Sequence, residues 1–141
     1  MICDILFRKE MKNMIDLEGF KAFNFDEGVP YVSVTKNGVT FNKSVVMKLH
    51  YPKFVVLMVN DEKKQIAICP CAEDYPNSTS FFKENPKSRV ISVRWNGKDL
   101  LNTLSDMMNW NLEQDAYRVS GQLLNDGEFM LFDLLSASKL K

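Results

Sequence analysis

A chain of 141 residues is long enough for one domain with its own buried core and needs no covalent staples. With 45% hydrophobic and 26% charged residues it falls among ordinary globular proteins, which excludes a low-complexity or fibrous chain. Lysine and arginine total 18 and aspartate and glutamate total 18, so no overall field draws the chain to nucleic acid or membrane, and only a local patch could do so.

Met1 to Lys12 mixes Ile2, Ile5, Leu6 and Phe7 with Asp4, Arg8, Lys9 and Glu10, which predicts no signal peptide because the charges break the apolar stretch. Two readings of this segment stand side by side. Ile2, Ile5, Leu6, Met14 and Ile15 share a loose helical face, or translation starts at Met11 or Met14 and the first residues are extra. Residues 16–28 read as an irregular lead-in with a short strand at Phe20–Phe25, so that residues 1–28 form an N-terminal extension.

Tyr31 to Thr35 is β-like, and Lys36-Asn37-Gly38 predicts a tight hairpin, since Asn-Gly supplies positive φ angles. Val39-Thr40-Phe41 returns along it, with two apolar side chains on one face. Asn42 is placed to cap a helix that carries Val45, Val46 and Leu49 and ends at Tyr51-Pro52. Phe54–Val59 and Gln65–Ile68 flank the charged loop Asn60-Asp-Glu-Lys-Lys64 as a hairpin. Residues 72–87 are polar and proline-punctuated and read as a linker, with Phe81-Phe82 folding back onto the core.

Beyond the linker the pattern returns. Arg89 to Trp95 alternates with the period of a half-buried strand. Asn96 is placed to cap a second helix, with Asp99 reaching back, and Leu100, Leu101, Leu104, Met107 and Met108 make its buried face. Tyr117–Leu124, the turn Asn125-Asp126-Gly127-Glu128 and Phe129–Phe132 form a last hairpin, and Trp110, like Tyr51, is expected to pack under it. Phe41-Asn42 and Trp95-Asn96 thus mark equivalent points of a twice-written unit. The expected architecture is mainly β with short helices (α+β): residues 29–141 form one domain of two β-β-α-β-β-like halves, about 29–71 and 88–135, in a pseudo-two-fold arrangement.

Few residues suggest covalent chemistry. Cys69-Pro70-Cys71 reads either as a redox or metal pair or as two reduced thiols at a strand end; Cys3 and the single His50 lie far off in sequence, which favours the second. His50 reads as a helix-end residue, near the terminal carbonyls. No phosphate-binding glycine loop or metal-protease motif occurs, so the chain is read as non-enzymatic and without cofactor. Asn77-Ser78-Thr79 has the form of a glycosylation acceptor but, with no signal peptide expected, is read as unused. No apolar run reaches membrane-spanning length, and the cysteine usage fits a reducing, cytoplasmic location.

The stretch Val34-Thr-Lys-Asn-Gly38-Val-Thr-Phe-Asn42-Lys43-Ser-Val-Val-Met-Lys-Leu49 resembles the start of AbrB-like swapped-hairpin domains: strand, glycine turn, strand, short helix. Phe54–Val59 and Ile66–Ile68 resemble that family's closing hairpin; the likeness covers residues 31–70 and, more loosely, 89–134. Members of the MraZ type carry both units on one chain. The resemblance implies a swapped-hairpin barrel, either a monomer with a pseudo-dimer core or a homodimer. It also implies binding of double-stranded DNA by a transcription regulator or antitoxin-type protein. The family's turn Gly-Arg is Gly38-Val39 here and its proline before the helix is Asn42. The cations left for phosphate are Lys36, Lys43, Arg89, Arg94 and Lys98, with Lys48 and Lys87 beside them. Each also reads as an ordinary solvated side chain. The competing reading is a protein-binding or assembly module, with Met107-Met108 and Trp110 as an adaptable apolar surface.

Overall fold

The computed structural model describes residues 28–140. The expected N-terminal helix, the alternative start sites and the strand at Phe20–Phe25 lie outside the described residues. The chain is mainly β, with strands β1 (Tyr31–Thr35), β2 (Gly38–Phe41), β3 (Phe54–Asn60), β4 (Gln65–Pro70), β5 (Thr79–Ser80), β6 (Val93–Trp95), β7 (Ala116–Leu124), β8 (Phe129–Asp133) and β9 (Ser138–Leu140). Helix α1 (Lys43–Lys48) follows β2, and α2 (Lys98–Met108) follows β6.

These strands form one antiparallel sheet in the order β5-β3-β4-β8-β7-β1-β2-β6, with β9 pairing the start of β7 beside β8. The sheet is curled. Phe41 on β2 and Phe132 on β8 lie three strands apart, about 14 Å in a flat sheet. Their ring centroids are nonetheless 5.7 Å apart. The curl gathers the apolar inner positions (Val32, Val34, Val39, Phe41, Ile66, Ile68, Val119, Met130 and Phe132) around one core, all at 1% exposure or less. Val45, Val46 and Leu49 of the α1 region and Leu101 and Leu104 of α2 join the same cluster. Phe41 sits at its centre, edge-on to Phe81 at 5.4 Å and Trp95 at 5.0 Å, an arrangement that suits the aromatic quadrupoles.

Local chemistry explains most element boundaries. The Asn42 side chain accepts from Val45 N–H at 3.2 Å, the expected cap, and also from Tyr31 N–H at 3.0 Å. It therefore ties the helix start to the first strand. After α1, His50 and Tyr51 take φ of 64° and 53°, and the chain turns out before Pro52. Asn109 ends α2 in the left-handed region at φ 55°. Asn125, Asp126 and Gly127, at φ 53°, 57° and 94°, make the β7–β8 turn.

Several expectations need correction. The β1–β2 turn places Lys36 and Asn37 between the paired residues Thr35 and Gly38, and positive φ falls on Gly38 alone. Asn37 N–H is held instead by the Thr35 hydroxyl at 3.1 Å. Asn96 does not cap α2: Gly97 takes the cap position without a side-chain bond, so the Asp99 capping box does not form. The reason is tertiary, because Asn96 lies against Gly38, its Oδ1 only 3.0 Å from where a Cβ there would stand. Residues 72–87 are more than a linker, since β5 pairs with Phe54–Val55 and Phe81 is buried. The strand expected from Arg89 shortens to Val93–Trp95, and Val90 is 68% exposed. Tyr51 meets Phe82 at 5.3 Å rather than packing under a hairpin.

Candidate nucleic-acid interface

Strand alternation decides which polar residues face outward. In β1 and β2 the side chains of Val32, Val34, Val39 and Phe41 point into the core, so Ser33 and Thr40 stand on the opposite face. In β6 the buried Val93 and half-buried Trp95 leave Arg94 outside, and in β7 the buried Val119 does the same for Arg118. The register aligns these four directly: Arg118 opposite Ser33, Ser33 opposite Thr40, Thr40 opposite Arg94. They form one row across four adjacent strands, Arg118-Ser33-Thr40-Arg94, extended by Ser138 of β9 beside Arg118.

Both arginines are oriented by neutral partners. Arg94 Nε donates to Thr40 Oγ1 at 3.1 Å, and the Arg118 guanidinium lies 4.0 Å over the Tyr31 ring. Among the described residues neither has a carboxylate partner; the ion pairs there are Lys64–Asp61 and Lys139–Asp115. An exposed guanidinium so placed keeps most of its N–H donors for an oxyanion such as phosphate.

The sequence-derived cations separate into groups. Arg94 is in the row. Lys36 stands at the tip of the β1–β2 turn and Lys98 opens α2; together they line a concavity of about 390 Å³. The two neighbourhoods adjoin at Gly38, where a Cβ would meet the Arg94 Cγ at 3.3 Å. Lys43 is exposed at the start of α1, beyond the other end of β2 from Lys36. Arg89 lines a separate hollow of about 530 Å³ with Tyr51, Phe82, Glu84 and Val90, so it does not join the row. Arg118, Ser33, Thr40 and Tyr31 were not among the residues singled out from sequence. The usable signal was the alternation Tyr117-Arg118-Val119, an arginine on the outer face of a half-buried strand.

The groups suited to covalent chemistry lie elsewhere. Cys69 and Cys71 are free thiols at the end of β4. The Cys69 thiol is pushed above its ordinary value of 9.0 by burial, then by neighbouring Cys71 and Glu128, so it stays protonated at neutral pH. His50 is exposed after α1. Among the described residues no group of three histidine, cysteine, aspartate or glutamate side chains gathers to hold a metal ion, and no helix is long and apolar enough to cross a membrane. Comparison of the chain with protein-family models, curated proteins and solved structures returns no match.

Proposed function

We propose that the chain is a non-enzymatic nucleic-acid-binding protein of the AbrB-like kind, which engages double-stranded DNA through the outer face of β7, β1, β2 and β6. The observation that carries this reading is the row Arg118-Ser33-Thr40-Arg94, two arginines that have no carboxylate partner among the described residues, separated by two hydroxyl groups. Measured along the curled sheet the row covers three strand spacings, about 14 Å, comparable to the ~12 Å width of the major groove, so that it is sized to lie along the groove with both guanidinium groups available to phosphate. Ser33 and Thr40 then face the groove floor, where hydroxyl groups donate to or accept from any base edge.

The same reading takes the fold as a pseudo-two-fold, swapped-hairpin barrel formed within one chain. Two observations support it. The order β2-α1-β3-β4 recurs as β6-α2-β7-β8. When 39–41 are matched to 93–95, the pairs Val39–Trp95 and Phe41–Val93 exchange with each other, as a two-fold requires. The pairs Ile66–Phe132 and Ile68–Met130 exchange likewise when 66–68 are matched to 130–132. The first strand is the unequal member: β1 spans five residues along β2 and β7, and its counterpart on β3 is the two-residue β5. DNA binding through one well-formed β1–β2 hairpin therefore makes a lopsided interface, with the first half contributing the turn.

Fluorescence anisotropy of a generic labelled duplex at low and moderate salt tests the proposal. Wild-type binding should weaken with salt, and Arg94→Ala/Arg118→Ala should reduce the log–log salt slope by about 1.8, two phosphate contacts' worth. Absence of binding at low salt, or unchanged binding by the double variant, would overturn it. The second reading, a protein-assembly module in the cytoplasm, draws on exposed Met58, Val59 and Leu123 at 45%, 44% and 39%. It predicts association in light scattering across concentration.

A further inference from the structure

The concavity beside the row has a composition of its own. Lys36 comes to it from the β1–β2 turn, Lys98 and Asn102 from the first turns of α2, and Trp110, Asn111 and Glu113 from the segment after that helix. Its volume, about 390 Å³, falls in the range of sites that take one small organic ligand. Lys36 and Lys98 are exposed and, among the described residues, neither pairs with a carboxylate. Two lysines lining one concavity at the start of an eleven-residue helix favour an anion, with the N-terminal end of the helix dipole adding to them.

The rest of the lining is chosen for something other than charge. Trp110 is held rigidly: its ring stacks on Tyr117 at 4.2 Å with an interplanar angle of 9°. An indole fixed in this way offers aromatic contact without loss of side-chain freedom on binding. Asn102 carries a donor and an acceptor, the complement of a nucleobase edge, and Asn111, whose Oδ1 accepts from Glu113 N–H at 3.1 Å, adds its amide donors. Glu113 accepts hydrogen bonds from an exocyclic amine, and its negative charge disfavours a ligand that carries further phosphates along the wall.

We infer that this concavity binds a 5′-mononucleotide unit, its single phosphate between Lys36 and Lys98 and its base against Trp110, Asn102 and Asn111. The inference goes beyond the duplex-binding reading and does not depend on it, since Arg94 and Arg118 are not among the lining residues. The unit is either a free nucleotide or the 5′-phosphorylated end of a strand, which share this chemistry.

Isothermal titration of the full chain with AMP, adenosine, inorganic phosphate, ATP and a 5′-phosphorylated dinucleotide tests the site. AMP should bind saturably, with adenosine, phosphate and ATP each weaker by about tenfold or more, since each lacks one half of the contact or adds repelled charge. Lys36→Ala/Lys98→Ala, at two exposed positions whose loss leaves the core untouched, should weaken AMP by about tenfold or more while circular dichroism stays unchanged. Tighter binding of the dinucleotide than of AMP assigns the site to strand ends, and the reverse order assigns it to the free nucleotide. No saturable AMP binding, equal affinity for inorganic phosphate, or wild-type affinity in the lysine variant overturns the inference. None of these results would bear on the anisotropy of the arginine variant.

Discussion

Gly38→Ala is the substitution by which the tie between hairpin and site is best measured. Gly38 has φ +146°, where an L side chain is strained by about 1–3 kcal/mol. A Cβ there would also stand 2.6 Å from the Trp95 carbonyl oxygen, a backbone atom, and 3.0 Å from Asn96 Oδ1. Relief requires β2 and β6 to part, which weakens the pairing that holds Val39 against Trp95 and Thr40 against Arg94. Adding an overpacking cost of about 1–3 kcal/mol gives a loss of about 2–6 kcal/mol. That is a large share of the 5–15 kcal/mol or so that domains of this size possess. Urea denaturation followed by circular dichroism reads the loss as a lower midpoint at an unchanged m-value. Gly97→Ala is the control: φ there is −61° and a Cβ meets nothing within 4 Å, so the poorer helix cap is offset by the lower entropy of the unfolded chain and the effect should stay within about 0.5 kcal/mol. A Gly38→Ala protein as stable as the Gly97→Ala control would refute the argument that this turn is fixed by close approach of β6.

Other expectations follow from the same geometry. Asn42→Ala removes the helix cap, the bond to Tyr31 N–H and the donation from Asn42 Nδ2 to the Val29 carbonyl at 2.9 Å, and should cost about 2 kcal/mol in the same denaturation assay. Asn42→Asp keeps both accepting roles and should cost clearly less. Phe41→Ala empties the centre of the aromatic cluster and should cost about 3–5 kcal/mol, read as a fall in urea midpoint. Because the folded-state value of the Cys69 thiol is raised above 9.0, the folded chain holds its proton longer than the unfolded one. Its contribution to stability is present below about pH 9 and is lost as pH rises through the folded value. Iodoacetamide at pH 8 should therefore alkylate Cys69 more slowly in the folded protein than in urea, measured by peptide mass spectrometry; equal rates would contradict the shift.

Much of the secondary structure was legible because it rests on local rules. The Asn42 cap, the stop before Pro52, the hairpin Phe54 to Ile68 and the helix carrying Leu101 and Leu104 each follow from residues within a few positions of one another. The site was legible only in part. Arg94 and its outward orientation follow from alternation, but its neighbours Arg118 and Ser33 come from strands whose pairing partners are set by long-range register. Lys43 and Arg89 stay off the row because neither lies on a strand: Lys43 opens α1 and Arg89 precedes the shortened β6, though in sequence they look as well placed as Arg94.

Taken alone, then, the sequence determined the period of each strand and helix, and with it which side chains are apolar and inward. The twin marks Phe41-Asn42 and Trp95-Asn96 show where that reach ends. Both aromatics enter the core, because burying an aromatic ring is favourable wherever the curled sheet brings its strand. Of the two asparagines only Asn42 caps its helix, since the second is drawn against Gly38 by the pairing of β2 with β6. Which outward residues become neighbours was decided by tertiary structure, because cross-strand adjacency depends on register and sheet order, and these are settled by how the whole inner face packs.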